Sequence, residues 1–216
     1  MVYINQNTGK MITEKQLTIF QAFTKEPFAV YTLKQIKRLA KEKSNNALSI
    51  AMKKFKKENL LKEQKVGRSS LYALNFDNDL VYYYMALANH LQLNTLVHKT
   101  IKIIKTSIEK YTQFYSLVIF GSYAVQKQKK ESDLDVAVFI EREELRKDID
   151  RVLSSVKLKS LLNIDTHTIT KEEFLEMLKV DEENLGKEIA RKHLAVHNNQ
   201  IFYALLQEGI KHGFRI

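Results

Sequence analysis

The sequence predicts an α+β chain of two modules, and three observations predict it. Helical apolar spacing recurs from Thr13 to Phe55 and gives way to two short strand-like runs. A further helical stretch covers Asp79 to about Tyr111. Beyond it, Leu117 to Phe120 and Val136 to Ile140 are continuous apolar runs of the kind that form strands buried on both faces.

Charge divides the chain in the same way. Of the formal net charge of +10, residues 1–85 carry +8 and the remainder +2. A basic module suited to a polyanion is thus expected ahead of a near-neutral module with another task. No uninterrupted apolar stretch approaches the roughly 20 residues of a membrane-spanning helix. The start MVYINQNTGK lacks a signal-peptide pattern, so a cytoplasmic protein with no membrane partner is expected. The absence of cysteine removes disulfides, thiolate zinc sites and cysteine nucleophiles. Any metal must be held by carboxylates or imidazoles, which favours hard cations.

The first helix opens at Thr13, carries Leu17, Ile19, Phe20 and Phe23, and ends before Pro27. Phe28 to Tyr31 is a short apolar stub. Thr32 can cap a second helix with Leu33, Ile36, Leu39 and Ala40 on one face. Ser44 or Asn45 can cap a third with Leu48, Ala51, Met52 and Phe55 inward. Leu60 to Glu63 and Leu71 to Phe76 read as two strands joined by a turn from Gln64 to Ser70, in which Gly67 is free to take positive φ. Three helices followed by a hairpin resemble a winged helix-turn-helix. In that arrangement the third helix enters the DNA major groove and the hairpin rests on the backbone. The resemblance assigns double-stranded DNA contacts to Asn45, Asn46, Ser49, Lys53, Lys56 and Lys57 on the third helix, and to Lys65 and Arg68 on the wing. The winged helix is expected over residues 1–78, with a possible homodimer on a palindromic site.

Residues 79–112 read as a helical connector broken near Gln92 to Asn94. Tyr82, Tyr83 and Tyr84 within it fall at core or interface positions rather than forming a base-stacking surface.

The chemistry is concentrated downstream. Leu117 to Phe120 runs straight into Gly121-Ser122, and Asp133-Leu134-Asp135 then opens the second apolar run. Side chains at i and i+2 of a strand share a face, roughly 6.5 to 7 Å apart. Two carboxylates so placed can hold one hard cation, or a pair about 3.5 to 4 Å apart as in two-metal phosphoryl transfer. Gly121 permits close backbone approach to a phosphate, which Ser122 and neighbouring N–H groups can hydrogen-bond.

Gly121-Ser122 followed by Asp133-x-Asp135 resembles the signature of the minimal nucleotidyltransferases of the DNA polymerase β superfamily. The resemblance spans roughly residues 95–180 and implies a mixed α/β nucleotidyltransferase domain, placed at residues 113–180. It also implies a metal-binding, magnesium-dependent (Mg²⁺ or Mn²⁺), nucleotide-binding transferase with a nucleoside triphosphate, ATP by expectation, as substrate. Asp133 and Asp135 would be metal ligands and catalytic residues. A third carboxylate is expected from a later strand, and Asp165, in the run Asn163 to Ile169 after a helix from Arg142 to Ser160, fills that place. Gly121, Ser122 and Lys127 would bind the nucleotide. The sequence departs from the family at Val125 and Gln126, where members commonly carry Arg and Gly; Lys127, Lys129 and Lys130 are the basic residues at hand. His167 shares a strand face with Asp165 and reads as structural.

Residues 181–216 are expected as a C-terminal helical segment, with one or two amphipathic helices from Asn184 to Gly213. His193 and His197 stand four apart without an accompanying acid, which argues against a metal pair. The expected function is a DNA-binding nucleotidyltransferase that moves NMP, by expectation AMP, to an acceptor hydroxyl. Minimal members of the family include antitoxins that modify a partner toxin, so a toxin-like acceptor protein is among the expected partners. The alternative is a winged-helix transcriptional regulator whose nucleotidyltransferase fold only senses nucleotide. A third reading, a structural adaptor holding a partner through its C-terminal helices, predicts no nucleotide binding.

Overall fold

The computed structural model describes residues 11–215, which form two compact units divided between Ala88 and Asn89. The first contains helices α1 (Glu14–Phe20), α2 (Leu33–Leu39) and α3 (Asn45–Lys57). Thr13 and Thr32 close capping boxes with Gln16 and Gln35, and Ser44 caps α3 by accepting from the Ala47 N–H. Strands β1 (Tyr31–Thr32), β2 (Leu61–Val66) and β3 (Ser69–Leu74) form an antiparallel sheet in the order β1-β3-β2. Of the apolar stub Phe28 to Tyr31 only Tyr31 enters a strand, opposite Tyr72. The hairpin turn is tighter than the expected Gln64 to Ser70 loop, because Val66 pairs with Ser69 and leaves only Gly67 and Arg68 between the strands.

An aromatic cluster holds this unit. Phe20 packs on Phe55 and on Tyr84 of α4 (Asp79–His90), with ring centroids 5.6 and 5.9 Å apart. Tyr82 lies against Phe76. Tyr82 and Tyr84 are buried while Tyr83 is exposed, so two of the three tyrosines in the run are core.

The second unit is built on a mixed four-stranded sheet in the order β6-β5-β4-β7, from β4 (Tyr115–Phe120), β5 (Leu134–Ile140), β6 (Ile164–Thr170) and β7 (His193–His197). Strand β4 is antiparallel to β5 and β7, and β5 is parallel to β6. Helices α5 (Thr95–Ile108) and α7 (Arg146–Lys159) contribute Val97, Ile101, Ile104, Ile149, Leu153 and Val156 to one core layer. That layer meets Tyr115, Leu117 and Ile119 of β4 and Leu134, Val136, Val138 and Ile140 of β5. On the other face Phe139 meets Phe174 of α8 (Lys171–Lys179) and Phe202 of α10 (Asn199–Lys211) at 4.9 and 5.2 Å. Helices on both faces explain why β4 and β5 are continuous apolar runs instead of alternating ones. Among the described residues no helix is long and apolar enough to cross a membrane.

One expectation fails here. Residues 181–216 are not purely helical: between α9 (Leu185–Arg191) and α10, residues 193–197 form β7, paired along β4 from Phe120 opposite His193 to Leu117 opposite His197. His193 and His197 are therefore strand residues and do not share a helix face. The His193 ring Nδ1 contacts the carbonyls of Ile189 and Ala190, which can only accept, so Nδ1 carries the proton. Its buried Nε2 has no partner among the described residues.

Burial pushes the His193 imidazole down to about 4 from its ordinary 6.5. In the unfolded chain the ring binds a proton below about pH 6.5, whereas in the fold it does not, so stability is full above that pH and falls toward pH 4. The expected loss is about 2 kcal/mol between pH 8 and pH 5. Urea unfolding across this range is the measurement, and a curve no flatter in His193→Asn than in the parent would contradict the assignment.

Candidate active site

The site lies where β4 ends and β5 begins. Gly121 and Ser122 open a single helical turn, α6 (Gly121–Ala124), directly after β4. Ile119 pairs with Val136, which brings this turn against the first residues of β5. Gly121 has φ +64°, and a Cβ there would stand 2.1 Å from the Asp135 Oδ2. Glycine is thus required twice at this position, by conformation and by the carboxylate it faces. Ser122 is half-buried and its carbonyl accepts the Lys127 N–H at 2.9 Å, closing the loop; the Lys127 side chain is exposed.

Asp135 is directly opposite Asp165 in the parallel β5/β6 register. Leu134, Val136, Val138 and Ile140 enter the α5/α7 core, and alternation places Asp135 on the other face. Asp133 is exposed and immediately precedes β5. Burial first, then the charges of Asp165, Glu188 and Asp133, raise the Asp135 carboxyl above its ordinary range, partly offset by His167. Three carboxylates therefore act on one half-buried acid.

Asp165 has its own partners. His167 Nε2 is 3.0 Å from its Oδ2 and, facing a carboxylate, is the donor in that contact. Lys157 Nζ is 3.7 Å from Oδ1. The His167 ring lies 5.7 Å from that of Phe120 at the end of β4, so the histidine links the strand end to the acid. Beside them a cleft of about 720 Å³ runs along β6 between α7 and α8, lined by Lys157, Thr166, His167, Glu173, Glu176 and Asn184 among others. Glu188 and Lys157 carried no motif signal; they reach the acids only through the placement of α9 and α7.

The two positions that depart from the family pattern are both exposed. Val125 leaves an apolar side chain in solvent, and Gln126 has φ +57°, the left-handed conformation that glycine adopts without strain. The turn geometry is therefore kept without the glycine.

Among the described residues, no three His, Asp or Glu side chains stand close enough together, as they lie, to hold a metal ion. The donor set nevertheless suits a hard divalent cation, because Asp133, Asp135 and Asp165 offer only carboxylate oxygens and their mutual charge burdens Asp135.

The residues expected from the sequence to contact DNA, Asn45, Asn46, Ser49, Lys53, Lys56, Lys57, Lys65 and Arg68, are all exposed. They are not equally free. Lys56 is paired with Glu63 of β2, and Asn45 accepts a hydrogen bond from Lys37. Lys53, Lys57, Lys65 and Arg68 have no ion-pair partner among the described residues.

A mixed sheet with a glycine-serine turn packed on a strand-borne carboxylate, and a second carboxylate in register beside it, defines a nucleotidyl-transfer type of domain. The family model described as Polymerase beta, Nucleotidyltransferase matches residues 102–210, half of the chain, and the chain belongs to this family. Nucleotidyl transfer in general is the reaction of such a domain, with a nucleoside triphosphate as substrate and typically a divalent metal. Neither a curated protein nor a solved structure matched the chain.

Gly121→Ala and Gly67→Ala separate the two demands on glycine. Gly67 has φ +58° with nothing within 4 Å of an added Cβ, so its replacement costs only backbone strain, about 1 kcal/mol. Gly121→Ala adds the clash with Asp135 and is expected to cost about 2 kcal/mol or more. Equal losses in denaturant unfolding would mean that the Gly121–Asp135 contact is not structural.

Proposed function

We propose that the chain transfers a nucleoside monophosphate, AMP from ATP, to an acceptor hydroxyl, and that the module assigned to residues 1–78, of which 1–10 lie outside the described residues, is a DNA-binding winged helix-turn-helix. The observation that carries the catalytic reading is the in-register pair Asp135 and Asp165, beside Asp133 and against the Gly121-Ser122 turn. In this reading residues 79–112 connect the modules, 113–180 carry the chemistry, and α9, β7 and α10 complete the domain.

Asp133, Asp135 and Asp165 are the residues that would hold Mg²⁺ or Mn²⁺. The bound metal supplies Lewis acidity and lowers the pKa of an attacking hydroxyl. Ser122, the backbone of its turn and Lys127 orient the triphosphate. The acceptor oxygen attacks the α-phosphorus, the bond to the β-phosphate oxygen breaks, pyrophosphate leaves, and Asp165 takes the hydroxyl proton. His167, which donates to Asp165, holds that carboxylate in place. The cleft along β6 is lined by His167 and Lys157, the two neighbours of Asp165, so an acceptor seated there would lie beside the groups that hold this carboxylate.

Incubation with ATP labelled at the α-phosphate, Mg²⁺ and co-purified protein is expected to label an acceptor, with an intact-mass shift identifying a partner protein such as a toxin-like one. Asp133→Asn and Asp135→Asn are each expected to reduce transfer by about 100-fold or more. Label retained by the double variant would remove these residues from the mechanism. Exposed Val125 and strained Gln126, at positions where the family has Arg and Gly, favour a second reading in which nucleotide is bound and not turned over. Nucleotide-dependent DNA affinity with no product would select it.

The DNA reading is supported by four exposed basic residues on α3 and the hairpin that have no ion-pair partner among the described residues: Lys53, Lys57, Lys65 and Arg68. Phosphate contacts release counterions, so affinity is expected to fall steeply with salt, by about 0.9 log units per log unit for each contact. Lys53→Glu with Arg68→Glu is expected to flatten that slope and weaken binding at least about tenfold. Salt-independent affinity, or none lost in the double variant, would refute it. Sedimentation with and without DNA would test the homodimer.

A further inference from the structure

A second cleft, of about 300 Å³, lies where the ends of α8 and α10 meet α9. Its walls include Lys179, Lys187, Arg191 and Arg215, with Asp181 as the acid among them. Lys187 is only 6% exposed, an unusual state for an ammonium group. Its Nζ donates to the Asp181 carbonyl at 2.8 Å, and no carboxylate lies within ion-pair distance among the described residues. Arg191 is held between Glu183, at 2.6 Å, and the face of the Phe214 ring, 5.9 Å from its centroid. Lys179 and Arg215 are exposed and have no hydrogen-bond or ion-pair partner among the described residues.

Four formal positive charges thus surround a concave space with Asp181 and Glu183 to oppose them. The C-terminal ends of α8 and α10 add only about half a negative charge each. A buried ammonium served by one neutral carbonyl is costly unless an anion completes its shell. Adjacent residues of α9 face different sites: Glu188 acts on Asp135, whereas Lys187 and Arg191, four residues apart, line this cleft.

We infer that the cleft binds a compact phosphate-bearing anion, of the size of inorganic pyrophosphate, outside the carboxylate site. Its volume corresponds to about ten water molecules. Lysine supplies point charges and arginine a planar fork for phosphoryl oxygens. A nucleic-acid backbone would need a surface track, whereas Lys187 is only 6% exposed and lines a concave space.

Isothermal titration calorimetry of the full chain with inorganic pyrophosphate, in EDTA, tests the site without involving divalent metal or nucleotidyl transfer. Saturable binding at one site per chain is expected. Lys179→Glu with Arg215→Glu, both at exposed positions, should weaken it about tenfold or more, while Asp133→Asn with Asp135→Asn should leave it unchanged. Absence of binding, or parent affinity in the Lys179/Arg215 variant, would overturn the proposal. Loss of binding in the aspartate variant would assign the anion to the carboxylate site. Equal displacement by a short oligonucleotide at matched phosphate concentration would assign the cleft to nucleic acid.

Discussion

The candidate site depends on the antiparallel pairing of β4 with β5. The register that puts Ile119 opposite Val136 also presses the turn after β4 onto the first acid of β5. A one-residue slip would send Asp135 into the α5/α7 core and expose Val136. The apolar residues on either side prevent that slip, since Leu134, Val136 and Val138 are fully buried. Hydrophobic burial along the two strands therefore fixes the position of a charged group at their end.

That position is electrostatically unfavourable. Asp135 is half-buried and faces Asp165, Glu188 and Asp133, with His167 as its compensating neighbour. A fold selected only for stability would place apolar or paired side chains there. Concentrated like charge on a rigid sheet, next to a turn where only glycine fits, is the pattern expected of a site waiting for a positively charged ligand. The family to which the chain belongs supplies the kind of reaction, and the proposed mechanism rests on this local charge in assigning it to these acids.

Most of the fold was legible because its signals were local. Thr13, Thr32 and Ser44 announced their helices through side chains that reach three residues ahead. Strands β4 and β5 announced themselves as apolar runs; Asp165 was singled out because the family resemblance calls for a third carboxylate on a later strand, and the interval leaves room for a crossover helix, here α7. What stayed hidden was non-local. Strand β7, His-Leu-Ala-Val-His, is too short to show its period and sits between two helices; only pairing with β4 makes it a strand. Tyr31 and Thr32 are likewise a strand only because β3 lies beside them. Glu188 and Lys157 reach the acids through tertiary packing that no spacing in the chain encodes.

The overall charge of +10 conceals two different arrangements. In the first unit Lys53, Lys57, Lys65 and Arg68, which have no ion-pair partner among the described residues, are spread over exposed surface on α3 and the hairpin, where solvent screens them. In the second unit cations and acids are nearly balanced in number yet separated in space. Asp133, Asp135, Asp165 and Glu188 gather at the strand ends, while Lys179, Lys187, Arg191 and Arg215 gather around the second cleft. The separation is partial, since Lys157 stands 3.7 Å from Asp165 and Arg191 pairs with Glu183. Helix α9 keeps the two sets apart, since Glu188 and Lys187 are adjacent in sequence and directed to different groups. In the proposed reading the acidic cluster takes a cation and the basic cluster an anion, so the near-neutral charge of this unit hides two sites of opposite sign.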